Sequence, residues 1–195
     1  MLAALSLAVV SAAPAFCDTV SFAGNSNQTL GTSAVYGPIT AYGFTFAGVA
    51  TDLYSKFGGV GSSETGLGIA GTLDNEITPT TVVQLSGLGD PFTLTMGSTQ
   101  SVEGFDVYGS NTLGTRGAEL YSYITPGIDP FTTGSLSSNG YSFISITADP
   151  RSGGSQNVVL DSLTTTTTTP EPSSLLLLGT GILAAAGVVR RKLTA

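Results

Sequence analysis

From Asp18 to Leu163 the apolar residues come in short alternations and never at helical spacing, which restricts this stretch to strands and turns. The expected strands are Thr19–Ala23 with Val20 and Phe22 on one face, Gly43–Ala50 with Phe44 and Phe46 together, and Val82–Leu85. Phe92–Met96 alternates Phe92, Leu94 and Met96 with two threonines, and Val102–Tyr108 turns Phe105 and Val107 inward. Ala118–Ile124, Tyr141–Ala148 and Asn157–Leu163 complete the set. In Tyr141–Ala148 the inward phase slips between Phe143 and Ile144, the mark of a bulge. Turn signals separate these runs at Gly58-Gly59, Gly89-Asp90-Pro91, Ser110-Asn111, Pro126-Gly127 and Ser152-Gly153-Gly154, and Asn139-Gly140 is the strongest hairpin candidate. Roughly eight short strands with no helices between them predict an all-β fold, an antiparallel two-sheet β-sandwich of jelly-roll type. The 26 glycines and the 10% of charged residues agree with a turn-rich β chain.

The last 26 residues follow different rules. Pro170-Glu171-Pro172 precedes an uncharged, mostly aliphatic run from Leu175 to Val189, and Arg190, Arg191 and Lys192 come directly after it. As a helix, residues 173–189 reach about 25 Å, the short end of a bilayer crossing. The basic cluster holds its end on the cytoplasmic side, so the rest of the chain is expected outside. Because the prolines cannot extend the helix backwards, Glu171 stands on an accessible, kinked segment suited to a protease. A run of threonines, 164–169, has no apolar partners of its own and is expected to be an extended tether.

Pro170-Glu171-Pro172-Ser173, the glycine-containing apolar run and the Arg190-Arg191-Lys192 end together resemble the PEP-CTERM sorting signal of exported bacterial proteins, also described as the ice-binding protein C-terminal domain. The resemblance implies that an exosortase-like membrane enzyme recognises Pro170, Glu171 and Pro172 and cuts or transfers the protein there. It covers only the last eighth of the chain. The middle, from Gly66-Leu67-Gly68 through Phe105-Asp106-Val107-Tyr108 to Val159-Leu160-Asp161, looks like the cargo domains found ahead of such tails. In that family these proteins accompany exopolysaccharide production.

At the other end, residues 1–17 are apolar and small, the pattern of a secretory signal peptide that a signal peptidase removes. Cleavage after Ala15 or after Cys17 fits, and the second leaves Asp18 free to enter a strand. Cys17 as a lipid anchor is disfavoured by the bulky Phe16 before it. The missing basic n-region implies a true start upstream of Met1. The expected organisation is therefore signal peptide 1–17, β-sandwich 18–163, tether 164–169 and sorting signal 170–195 with transmembrane helix 173–189 and basic end 190–192.

Charge and composition remove several function classes. Residues 18–172 hold all 13 acids against Lys56, Arg116 and Arg151, so no basic patch for nucleic acid exists outside the tail. With no histidine and one cysteine, Ser-His or Cys-His catalysis and a Cys/His zinc site are excluded. Gly66-Leu67-Gly68-Ile69-Ala70-Gly71 spells the dinucleotide string, but Ser62-Ser63-Glu64-Thr65 before it and Pro79 after it lack the required strand and helix, so no cofactor is expected. Asp74, Asn75 and Glu76 form the densest oxygen cluster, a candidate Ca2+ site against the simpler reading of a polar turn. For carboxylate-based glycoside hydrolysis the acids are Glu103 and Asp106, which sit on opposite faces of one strand, or Glu64 and Glu76 beside the glycine-rich loop. Tyr36, Tyr42, Tyr108, Tyr121, Tyr123 and Tyr141 are the stacking candidates for a carbohydrate-binding module. The leading expectation is an exported, surface-sorted, non-catalytic protein of the envelope or extracellular polysaccharide matrix.

Overall fold

The computed structural model describes residues 15–58, 64–99, 103–124, 128–152 and 156–168, with side chains omitted at 15–17 and 166–168. The strands in chain order are β1 (Ala15–Ser21), β2 (Gln28–Gly31), β3 (Ser33–Tyr36), β4 (Ile39–Thr45), β5 (Leu53–Phe57) and β6 (Thr65–Ile69). A short 3-10 turn, Leu73–Asn75, comes next, then β7 (Thr81–Ser86), β8 (Phe92–Gly97), β9 (Phe105–Ser110) and β10 (Ala118–Tyr123). The series closes with β11 (Phe131–Thr132), β12 (Phe143–Ala148) and β13 (Val159–Thr168). One sheet runs β11-β8-β13-β6-β5-β2 with β1 also on β13, and the other runs β10-β9-β12-β7-β4-β3. The fold is thus all-β, two antiparallel sheets enclosing one core.

Alternation builds that core. Ile39 and Ala41 from β4, Val83 and Leu85 from β7, Phe105 and Val107 from β9, and Ile144, Ile146 and Ala148 from β12 point one way; Leu53, Leu67, Ile69, Phe92, Leu94, Met96, Leu160 and Leu163 meet them from the other sheet. Each of the larger of these side chains contributes about 1.5–3 kcal/mol on burial, so the strands that carry them are held in register by the same core. Tyr121 and Tyr123 of β10 extend the core at one end, packing on Phe105, and Tyr123 stacks on Phe131 at 3.9 Å.

Several expectations need correcting. β12 pairs with β7 and β9 without interruption, so the bulge between Phe143 and Ile144 is absent: Ile144, Ile146 and Ala148 keep the inward phase while Phe143 faces outward. Register shifts occur instead between Thr29 and Gly31, between Glu119 and Tyr121, and between Leu160 and Ser162. Asn139 and Gly140 do form a tight turn, both at positive φ, closed by Tyr141 N donating to Ser138 O at 3.0 Å. That turn joins strands of different sheets and is no hairpin. The Gly43–Ala50 strand ends at Thr45, where Phe46–Val49 turns back, and Phe46 is 48% exposed. Gly66–Gly71 is largely strand, not loop: Gly66 and Gly68 lie in β6, where a Cβ would press into the carbonyl oxygens of Leu160 and Asn75. Thr164 and Thr165 pair with Thr93 and Phe92 inside β13, so the tether cannot begin at 164; β-branched threonine satisfies a strand once a neighbour supplies the ladder.

Candidate functional site

Two polar sites sit on the outer faces of the sheets, one on each. On the second sheet, residues 111–117 fold back over the strands. Gln84 anchors them, donating from Nε2 to Thr115 O at 3.0 Å and to Ser145 Oγ at 2.9 Å while its Oε1 accepts from Gly114 N at 2.8 Å. Gln84 and Ser145 are buried, so their polar groups find partners only in that loop and in each other. The loop in turn delivers Arg116, whose guanidinium carbon lies 4.3 Å from the Phe46 ring centroid and 4.2 Å from that of Tyr108.

Around Arg116 opens a pocket of about 190 Å³ lined by Phe46, Tyr108, Asp106, Glu119, Thr147 and Arg151 among others. Tyr108 donates to Asp106 Oδ2 at 3.0 Å, and burial, followed by that acceptor, pushes its phenol up to about 12, so it stays neutral. Arg151 is pinned: its Nε and Nη2 hold Asp149 at 2.9 Å each, and Nη2 also reaches Asp106 Oδ1 at 3.1 Å and Ser122 Oγ at 2.7 Å. The Asp149 hydrogen bonds keep its guanidinium charged, which neutralises two buried carboxylates.

The other site is a buried ion cluster on the first sheet. Lys56 donates to Glu64 at 3.0 Å and to Glu76, with the Lys56, Glu64 and Glu76 side chains 7%, 8% and 1% exposed. Burial pulls the Lys56 ammonium down, but hydrogen bonds to Glu76 and Glu64 outweigh it and leave the group raised. Glu76 is pushed upward by burial and by Glu64, against the pull of Lys56. Glu103, hydrogen-bonded by Ser98 at 3.4 Å, rises to about 7, chiefly by burial and then by the charge of Glu64. A second pocket of about 190 Å³, lined by Glu64, Asp129, Asp161 and neighbours, lies on this side.

The residues expected to act together are mostly dispersed. Asp74 is exposed at φ 54, Asn75 accepts from Gly71 N at 3.0 Å, and Glu76 turns inward to Lys56, so the Asp74-Asn75-Glu76 triplet does not converge on one point. Among the described residues no group of three Asp, Glu, His or Cys is placed to hold a metal ion. Glu64 and Glu76 do meet, but on Lys56. Glu103 and Asp106 part, one to Ser98 and one to Tyr108 and Arg151. Of the tyrosines, Tyr36 packs edge-on against Phe22 at 4.8 Å, Tyr121 and Tyr123 against Phe105, and Tyr141 over Gly109, while Tyr108 gives a ring face to Arg116. Tyr42 lies on β4 opposite Ser33 and Gln84, and among the described residues only Tyr121 and Tyr123 share a partner ring, Phe105. The sequence shows Lys56, Arg116 and Arg151 as the three cations of the acidic domain without saying what each meets: Lys56 and Arg151 find carboxylates, and Arg116 finds two aromatic rings.

Pro170, Glu171, Pro172, Arg190, Arg191, Lys192 and the expected helix 173–189 lie outside the described residues, and among those described no helix is long and apolar enough to cross a membrane. Their identity comes from comparison with known families. Residues 168–192 match the PEP-CTERM protein-sorting motif. The PEP-CTERM tail marks an exported protein that an exosortase processes and that its C-terminal end holds for a time in the membrane. The match includes both the Pro-Glu-Pro triplet and the basic end. No characterised protein and no solved structure matches the chain.

Proposed function

We propose that this is a surface-sorted, non-catalytic protein of the envelope or extracellular polysaccharide matrix, whose domain, a two-sheet sandwich that we assign to the jelly-roll type, contacts polysaccharide outside the cell. The observation that carries the proposal is the order of parts: an acidic β-sandwich followed by the PEP-CTERM tail. An acidic exterior keeps an exported domain soluble and monodisperse. Of the two outer-face sites, the Arg116 pocket supports the contact role, because it combines an aromatic wall with charged groups that hydrogen-bond in plane. The Lys56 cluster is spent on itself, its three side chains buried and mutually paired.

The binding role is tested in the native host by separating cells, membranes and surface polysaccharide. The protein is expected in the polysaccharide fraction, released when that polymer is enzymatically depolymerised. Recovery wholly in the cytosol would contradict export, and recovery on the surface independent of the polymer would contradict the matrix role.

A further inference from the structure

Given the polysaccharide contact proposed above, we infer that the Arg116 pocket is a subsite for one uncharged sugar residue, gripped through a vicinal diol between Arg116 and Glu119. Both side chains line the pocket, and among the described residues neither belongs to an ion pair. The other two charges at the wall are engaged within the protein, Asp106 by Tyr108 and Arg151, and Arg151 by Asp149 through its Nε and Nη2. Arg116 and Glu119 are therefore the donor fork and the acceptor least committed within the protein.

The donor is prepared in advance. The Phe46 and Tyr108 rings flank the Arg116 guanidinium at 4.3 and 4.2 Å, so less rotamer freedom remains to be lost when its N–H groups take a ligand oxygen. Of two adjacent hydroxyls, one accepts from those groups through its oxygen and the other donates to the Glu119 carboxylate. A sugar diol presents both at once, which an apolar ligand or a simple anion does not.

Size and charge narrow the class further. About 190 Å³ is on the scale of one sugar ring and below the usual range for drug-sized or dinucleotide ligands. The lining charges balance, Arg116 and Arg151 against Asp106 and Glu119, so the pocket carries no net attraction for an anion. The surrounding acidic domain repels polyanions. An uncharged hexose polymer fits; a uronate polymer does not.

The experiment uses the full chain in detergent micelles, titrated calorimetrically with neutral hexose oligomers of glucose, mannose and galactose. Oligogalacturonate is the anionic arm and free glutamine the zwitterionic arm. The expected result is binding to at least one neutral oligomer with an affinity unchanged between about 50 and 500 mM salt. Arg116→Met and Glu119→Ala each weaken it about tenfold or more, while both variants still unfold cooperatively and Glu119→Ala keeps the wild-type midpoint. Arg116→Lys, which keeps the charge but loses the planar fork, weakens it as well. Binding of oligogalacturonate alone, falling with salt and surviving in Arg116→Lys, would overturn the inference in favour of an anion site, and capture of glutamine alone would overturn it in favour of a zwitterion. If the wild-type chain associates with host polysaccharide while Arg116→Met and Glu119→Ala do so equally, the subsite falls and the matrix role stands. If the wild type associates with no polysaccharide at all, the role itself falls.

Discussion

Replacing Lys56 by Met should be among the most damaging single changes to the folded domain, and its cost should depend on pH. The ammonium sits 3.0 Å from Glu64 and in contact with Glu76, with all three side chains buried. At that separation and an effective dielectric of about 20, each attraction is about 5–6 kcal/mol before desolvation is subtracted. Removing one member of such a cluster typically costs about 3–5 kcal/mol, because the remaining charges are stranded. Two buried carboxylates lose their shared cation here, and the unbranched Met side chain replaces most of the lysine stem, so the loss is electrostatic in origin. Protonation relieves it: burial raises the Glu76 carboxyl even with Lys56 present, and without the lysine it rises further. A raised folded-state pKa means that stability is fully present below the unfolded value near 4.3 and is lost as pH climbs through the folded one. Urea unfolding of Lys56→Met against wild type should therefore show a deficit of about 3–5 kcal/mol at pH 8 and less than half of that at pH 5. The triple change Lys56→Met, Glu64→Gln, Glu76→Gln should recover to within about 1–2 kcal/mol of wild type. A deficit equal at both pH values, or no recovery in the triple variant, would show that packing and not charge is what Lys56 contributes.

Glu103→Gln should stabilise by about 1 kcal/mol or less at pH 5 and by up to about 3 kcal/mol at pH 8, because the native carboxyl titrates at about 7; an equal gain at both pH values in urea unfolding would refute this. Gly68→Ala puts a methyl against the Asn75 carbonyl oxygen and should destabilise by at least about 1–3 kcal/mol, whereas Gly134→Ala, with open space around it, should stay within about 0.5 kcal/mol in the same urea titration.

How much of this was legible in the sequence depends on the distance over which each feature is encoded. Phe92, Leu94 and Met96, or Phe105 and Val107, declare an inward face within five residues, and the structure places them there. β2, β3 and β5 escaped because their apolar residues are few and their pairing is supplied by neighbours: Ser33–Tyr36 becomes a strand by lying against β4 across the Gly37-Pro38 turn. β6 escaped because its glycines read as a loop, yet they are there so that the Asn75 and Leu160 backbones can approach. Threonines 164 and 165 looked solitary until β8 was beside them. The candidate site was less legible still. Arg116 meets Phe46, seventy residues earlier in the chain, only because residues 111–117 fold over the sheet, and no local spacing encodes that. The sorting tail is the opposite case, a signal read by other proteins as a linear string and so visible as one.

The most direct test of the account is the intact mass of the mature protein recovered from its native host. Loss of the residues beyond Glu171, with the leader gone and the sandwich whole, is the expected result. A polypeptide that still ends in Arg190-Arg191-Lys192 and its last residues, with no processed form beside it, would contradict it.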